Sequence, residues 1–376
     1  MSQILMIAPV PFEFDRGKSI RVRQSVRHLT SIGHEIDLLT YPTGKEIEQE
    51  SVHVSRGSRL FAQKDPSNPG LSIRQLLSNS DLFRQTVQKL GKNEYDAIHA
   101  HDVDGVLIGH AGRIIRRANL PLIYDMHGTF RELNDAYDLL PFNRLSGHVE
   151  SYLESISDFC IANWPHVVDS LDSYTPSTLI LDEPDPEVQR ALEEGLPVLE
   201  QLIDEPYVLY TGNYAEYQGI DLLTEAFQQV DKNVRLVLTG DPPEKYCTKC
   251  ESIICLEYVS EQKLAQLLYN ADVLVSPRQT DGFPPMKILY YLLTDNPIVV
   301  TDRECHRSIL GDVSGTIFCG ESPGSFAEGI NTAIELDKKY DRETLQNDTA
   351  DRYRSVYQKL GIDRKSTRLN SRHYRI

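Results

Sequence analysis

No run of about 18 consecutive apolar residues occurs in this 376-residue sequence, so no membrane-spanning helix is expected. Met1 to Ile7 has neither a basic leader nor a small-residue cleavage site, and it reads as a first strand instead of a signal peptide. Neither G-x-G-x-x-G nor a Walker motif is present, which disfavours nicotinamide and ATP sites. Basic residues are outnumbered, 39 Lys and Arg against 55 Asp and Glu, and the net charge of −16 argues against nucleic acid as a partner. Cysteine is sparse at six. Cys247-Thr-Lys-Cys250 followed by Cys255 lacks the second pair that a structural zinc site needs, and reduced thiols on a surface hairpin are expected there. No short-period repeat is visible.

What is present is an alternation of short apolar runs with helical patterns. The length exceeds what one core serves, so two domains are expected. Strands are read at Ile4–Val10, Glu35–Tyr41, Tyr95–His99, Pro121–Met126 and Asp158–Asn163. A second series follows at Tyr207–Thr211, Val234–Thr239, Ser252–Leu256, Asp272–Ser276, Pro297–Thr301 and Thr316–Cys319. Most are continuously apolar, the mark of parallel strands buried on both faces. Helices fall between them at Ser19–Ser31, Ile220–Val230, Glu261–Tyr269, Pro285–Leu293 and Ser325–Leu336, so an α/β fold of two doubly wound, Rossmann-like parallel-sheet domains is expected.

The series breaks after Asp182-Glu183-Pro184-Asp185-Pro186, where an acidic helix Glu187–Leu202 is expected. Residues 151–205 hold 13 acidic and 1 basic side chains, whereas residues 1–150 hold 18 of each. The reading is a domain over 1–185, an acidic linker over 186–205, a domain over 206–340, and a C-terminal helix over 341–362 packing back on the first domain. Residues 363–376 read as a tail foreign to the fold, with a short basic tail as the alternative.

In open parallel sheets ligands bind beyond the strand carboxyl ends, at the switch point of strand order. Gly17 follows the first strand and opens a helix, an arrangement that lets backbone approach a phosphate or simply makes a turn. His99-Ala-His101-Asp102 and Asp125-Met-His127-Gly128 end two strands. Their histidines can act in acid–base chemistry, bind ligand oxygens, or merely bond backbone. Asp102-Val-Asp104 matches D-x-D, a pattern common by chance. Arg16, Lys18, Arg21, Arg23, Arg27 and His28 form a basic face, either solvated or a candidate peripheral membrane contact over Arg16 to Arg27. In the second half, a Gly282-containing loop between Arg278 and Lys287 enters a helix and could hold a diphosphate.

Tyr210 to Leu223, and Ser276 to Leu292, together with Ile4–Pro9, the stretch around Gly33 and Tyr124–Gly128, make the chain resemble glycosyltransferase family 4 (group 1), of GT-B fold, over residues 1 to about 360. The resemblance implies two such domains facing a central cleft. It also implies a retaining, metal-independent hexosyltransferase that takes a nucleotide-sugar donor as substrate, with no cofactor. The acceptor would be a glycan, polysaccharide or lipid-linked precursor. The protein would be bacterial and cytoplasmic, or peripheral at the inner membrane face. By resemblance Gly17 lies beside the diphosphate, His127 near the transferred sugar, and the segment around Tyr258 offers backbone to the base. His127 and Asp281 are then the catalytic candidates. Gly17, Asn213, Gln218, Tyr258, Arg278, Gly282, Lys287 and Tyr290 are the donor-binding candidates. Two departures from the family pattern stand out. Asn213 and Gln218 replace phosphate-facing cations, and Tyr290 replaces an acidic residue that usually binds ribose hydroxyls. Each lost charge-assisted bond costs about 1.5–3 kcal/mol. A catalytically silent binder or scaffold and a sugar-nucleotide epimerase of the same fold are the alternatives.

Overall fold

The computed structural model describes residues 2–10, 17–43, 50–61, 73–137, 143–193, 203, 205–231, 233–248, 250–281, 285–336 and 348–362. Apolar runs such as Ile4-Leu-Met-Ile7 close completely to solvent, which drives each of them into the middle of a sheet. The first unit contains β1 (Gln3–Ala8), α1 (Gly17–Ser31), β2 (Glu35–Thr40), β3 (Val52–Arg56), α2 (Ile73–Lys89), β4 (Ala97–His101) and α3 (Asp102–Arg116). It continues with β5 (Leu122–Met126), α4 (Phe130–Tyr137), α5 (Asn143–Ser155), β6 (Phe159–Ala162), α6 (Pro165–Ser170) and β7 (Ser177–Leu179). Its seven strands are parallel, in the order β3-β2-β1-β4-β5-β6-β7, with Met6 level with His99 across β1 and β4.

The second unit contains α7 (Pro186–Glu193), β8 (Tyr207–Thr211), α8 (Ile220–Phe227), β9 (Arg235–Thr239), α9 (Glu244–Cys247), β10 (Ile253–Leu256) and α10 (Glu261–Asn270). Then come β11 (Val273–Ser276), α11 (Lys287–Tyr291), β12 (Ile298–Thr301), α12 (Glu304–Leu310), β13 (Thr316–Cys319) and α13 (Pro323–Leu336). Six parallel strands run β10-β9-β8-β11-β12-β13, so strand order reverses between β8 and β11 as it does between β1 and β4. The chain divides between Asp182 and Glu183, and α14 (Thr349–Lys359) belongs to the first unit. There Tyr353, Val356 and Tyr357 enter the core formed with Ile4, Met6, Val22 and Val26.

Several expectations change. The edge strands β3 and β7 add to the expected series, and neither has the continuous apolar run that marks a strand in the sequence. Strand β4 extends to His101, and Asp102-Val-Asp104 is the first turn of α3. The acidic helix ends its described part at Glu193, and residues 194–202 lie outside the described residues. The basic face of α1 is only partly solvated: Lys18 is exposed and Arg23, Arg27 and His28 are half-buried, but Arg21 turns inward. Arg21 is fully buried and Ile20, Val22, Gln24, Ser25 and Val26 are buried with it, leaving Lys18 and Ser31 as the exposed positions among those described. Arg16 lies outside the described residues. The expected free thiols at Cys247 and Cys255 instead form a disulfide with a Cα separation of 5.7 Å, leaving Cys250 as the free member of the hairpin. Among the described residues no helix is long and apolar enough to cross a membrane.

Candidate functional site

Beside the switch point of the first unit, β4 and β5 end side by side and deliver His99, His101, Asp125 and His127. Asp125 is the hub. Arg21 on α1 reaches its Oδ1 at 3.1 Å, and the His99 Nε2 lies 3.1 Å from its Oδ2. Ser25 Oγ and Tyr353 Oη lie 3.3 and 3.4 Å from Oδ2 and 2.7 Å from each other, so one hydroxyl donates to the carboxylate while the other donates to its neighbour. Burial opposes ionisation of this carboxyl, but the Arg21 charge, then the His101 and His99 rings, hold its pKa well below the usual range. Arg21 further donates to the carbonyls of Ile180 and Leu181 and faces Asp182 at 3.4 Å. A carboxylate can only accept, so His99 carries its proton on Nε2, and its Nδ1 accepts from Tyr357 Oη at 2.8 Å.

His101 Nδ1 lies 3.0 Å from His127 Nε2. Burial pushes His101 well below its ordinary pKa and takes His127 down to about 4, against the pull of Asp102 and Asp125 on the latter. Both rings are therefore neutral near pH 7. The backbone beyond His127 turns at Gly128, at φ +135°, into a capping box in which the Thr129 N–H donates to Glu132 Oε2 at 2.8 Å and the Glu132 N–H to Thr129 Oγ1 at 3.1 Å. That box fixes where α4 starts and hence where His127 stands.

His99, His101 and Asp125 offer ligand atoms within 4.8 Å of one another. A cation there would sit against the Arg21 guanidinium and compete for an Asp125 already engaged by it, so the set acts as a hydrogen-bonded cluster. The D-x-D pair is also committed: Asp102 pairs with Lys18, and Asp104 accepts from Gln75 Nε2 at 3.0 Å. Burial would raise the Asp102 carboxyl, yet the Lys18 charge, then His127, bring it down to about 2.

At the second switch point, β8 and β11 end in Gly212-Asn213 and Pro277-Arg278. Lys287, on the first turn of α11, is 7% exposed. It donates to Gln218 Oε1 at 2.9 Å and sits 4.0 Å from the centre of the Tyr210 ring. Burial, with Arg278 adding like-charge repulsion, holds its ammonium well below the ordinary lysine range. No carboxylate pairs with it among the described residues. Gly212, at φ +136°, lies against it: a Cβ there would stand 3.1 Å from Lys287 Cε. Gly219, at φ +69°, lets the loop pass under Pro277, whose carbonyl oxygen would be 2.0 Å from an added Cβ. Arg278 is buried, donates to the Thr280 carbonyl at 2.9 Å and stacks over Tyr217 at 5.0 Å. His306, neutral above about pH 4 because it is buried, bonds Ser276 and the Thr301 carbonyl and so ties the ends of β11 and β12 together.

The structure thus brings Gln218, Lys287 and Arg278 together, whereas Asn213, on the same loop as Gln218, caps that loop by accepting from the Ala215 N–H at 3.1 Å. Asp281 lies three residues past Arg278 and contacts Arg303 at 3.3 Å and the Cys305 N–H at 3.4 Å. Tyr290 departs from the ribose-binding expectation. It packs in the core with Leu209 and Ile298, and its hydroxyl accepts from the Asp185 N–H at 3.2 Å, because α11 turns this face inward. Tyr258 is 57% exposed, and its N–H is taken by Asp241 Oδ1 at 3.1 Å. Gly17 begins α1, and Gly282 lies outside the described residues. Arg21, Asp125, Tyr353 and Tyr357 join the cluster without a local motif to mark them. Their pairing spans more than 100 positions, and only a carboxylate inside an apolar strand, Ile123-Tyr-Asp125-Met, hinted at it.

Two parallel sheets of this order, each carrying its charged loops at the strand carboxyl ends, define a GT-B fold. Sucrose-phosphate synthase from Thermosynechococcus elongatus superposes with a TM-score of 0.68 at 16% identity, over 98% of this chain and 99% of that one. Anabaena HepE in complex with UDP-glucose gives 0.64 at 15%, over 96% and 98%. At those identities the likeness speaks to the fold. The model described as Glycosyltransferase Family 4 matches residues 16–178, and that described as Glycosyl transferases group 1 matches residues 205–335. The D-inositol 3-phosphate glycosyltransferase of Xylanimonas cellulosilytica is 23% identical over 362 residues, 85% of this chain and 84% of its own. The chain belongs to the group 1, family 4 glycosyltransferases, enzymes that transfer sugars.

Proposed function

We propose that this enzyme moves a hexose, with retention at the anomeric carbon and without a metal ion or cofactor, from a nucleotide-sugar donor to a polysaccharide or lipid-linked acceptor. The observation that carries the reading is Lys287: a buried ammonium beside Arg278, facing a glycine loop, with a neutral amide instead of a carboxylate as its partner. Two neighbouring cations with no anion between them are costly to bury and are relieved by an anionic ligand. A diphosphate supplies that charge and releases as a stable leaving group without a divalent ion. HepE, solved with UDP-glucose, supports a nucleotide sugar as that ligand. In the first unit His127, neutral at working pH, is the candidate to hydrogen-bond a sugar hydroxyl; in the second, Arg278 and Lys287 are the candidates to hold a diphosphate.

The test is calorimetry and mass spectrometry with a panel of nucleotide sugars in EDTA-containing buffer, followed by NMR of the product anomer. Binding of one nucleotide sugar, transfer without added metal and a retained anomeric configuration are expected. An inverted product, or transfer restored only by a divalent cation, would refute the mechanism. Binding without transfer to any glycan or lipid acceptor would leave the chain a binder.

A further inference from the structure

We infer that His101 is a positioning residue that fixes which nitrogen of His127 carries the proton: His101 donates from Nδ1 to His127 Nε2, so His127 presents an Nδ1–H. The 3.0 Å contact between these two nitrogens allows either direction of donation, since a neutral imidazole has one donor and one acceptor. The surroundings of His101 decide between them. Its Nε2 is buried and has no hydrogen-bond partner. A proton there would be an orphaned donor, which folded proteins avoid more strictly than an orphaned lone pair. Its Nδ1 lies 3.9 Å from Asp125 Oδ2, and a carboxylate that Arg21 keeps ionised favours a proton on the nearer nitrogen. Both considerations place the His101 proton on Nδ1. His127 Nε2 must then be the acceptor. Burial keeps both rings neutral near pH 7, so each has a single proton to assign.

The consequence lies at the other face of His127. Among the described residues nothing bonds its Nδ1, and that atom is not among the polar atoms sealed from solvent. It is a fixed donor, addressed to a ligand oxygen that accepts. Its basic nitrogen is turned away against His101. His127 therefore donates a hydrogen bond to a substrate hydroxyl oxygen and does not collect a proton as a general base. The charged groups facing the ring are Asp102, Asp125, Lys18 and Arg21, and among the described residues the one hydrogen bond to His127 Nε2 is the contact with His101 Nδ1. The catalytic consequence rests on the reading of His127 as the sugar-facing residue; the tautomer does not.

Long-range proton–nitrogen correlation on the full chain with 15N-labelled histidine reads the tautomer directly. His127 should carry its proton on Nδ1 in the wild type and in His101→Asn, whose amide keeps an N–H near the same place. In His101→Phe, which keeps the ring and loses the donor, it should become a mixture. The kcat of His101→Phe should fall about five- to tenfold, the size of one neutral hydrogen bond, and that of His101→Asn by less than about twofold. An Nε2–H tautomer in the wild-type spectrum overturns the inference, and that spectrum decides even if the variants fail to fold. Wild-type turnover in His127→Ala, where the wild-type protein shows the Nδ1–H tautomer, overturns the sugar-facing reading instead. An acid limb of the pH–rate profile at about 4 or above that disappears in His127→Gln overturns the exclusion of a general base.

Discussion

Replacing Lys287 by Met should make the empty protein more stable and the liganded protein weaker. The structure sets both signs. Lys287 is buried, its folded-state pKa is pushed down, and among the described residues its one hydrogen-bond partner is the neutral Gln218 oxygen. The bond to Gln218 is worth about 1.5–3 kcal/mol because one member is charged. Holding an ammonium out of water beside Arg278 costs several kcal/mol. Methionine follows the same path over the Tyr210 ring without the charge, so the balance favours the variant by about 1–2 kcal/mol. In a unit of this size that is a rise of about 2–8 °C in the second unit's melting temperature. The pH dependence provides a second sign. A depressed lysine destabilises the fold while it is charged, so the wild type should close the gap on the variant as pH rises from its folded-state value toward the ordinary 10.5. Against this, a nucleoside diphosphate should lose about 1.5–3 kcal/mol of affinity, a factor of about 10 to 150. Differential scanning calorimetry with and without ligand measures both. A variant that melts lower when empty and binds diphosphate as well as the wild type would refute the account of Lys287.

Other outcomes follow from neighbouring features. Gly219→Ala places a methyl 2.0 Å from the Pro277 carbonyl at a positive φ, and should cost about 3 kcal/mol or more, whereas Gly33→Ala, with open space around it, should lose only the backbone term of about 1–2 kcal/mol; equal urea midpoints would refute the clash. Asp125→Asn leaves Arg21 buried without its main counter-charge and should destabilise the first unit by about 3–5 kcal/mol. Because the Asp125 pKa is depressed, the stability it provides is present above about pH 4 and is lost as pH falls through its folded value, and the variant should lack that acid limb in a pH series of melts. Alkylation under denaturing, non-reducing conditions should label four of six cysteines, and reduction should cost about 2.5 kcal/mol by loop entropy across the eight-residue separation of Cys247 and Cys255; six labels without reductant would remove the disulfide.

The central strands were legible because burial on both faces writes itself as a run: Ile4–Ile7, Val208–Tyr210 and Val273–Val275 admit few other readings. The edges were not. Val52-His-Val-Ser-Arg56 is half exposed and Ser177–Leu179 is three residues long, so neither offers the apolar run that marks a central strand. The candidate loops do follow strand carboxyl ends in the structure, a placement that sheet geometry dictates. What each side chain does there was not legible. Gln218 looked like a missing cation and instead is what Lys287 holds, a contact across 69 positions that no local pattern encodes. Arg21 looked like surface charge because its helix spacing is regular, and only Asp125, on a strand 104 residues away, explains why it is inside.

Helix α14 has a consequence for the order in which the enzyme can be made. The first unit draws Tyr353 and Tyr357 from beyond the second, and their hydroxyls complete the bonding of Ser25, Asp125 and His99. A ribosome finishing Asp182 has delivered seven strands, but it must add more than 160 further residues before α14 appears, roughly 10–30 s at ordinary synthesis rates. During that interval a groove lined by His99, Asp125 and the apolar faces of β1 and α1 lies open. The second unit is one uninterrupted segment and can close first. The half of the enzyme translated earliest is therefore the half that finishes last.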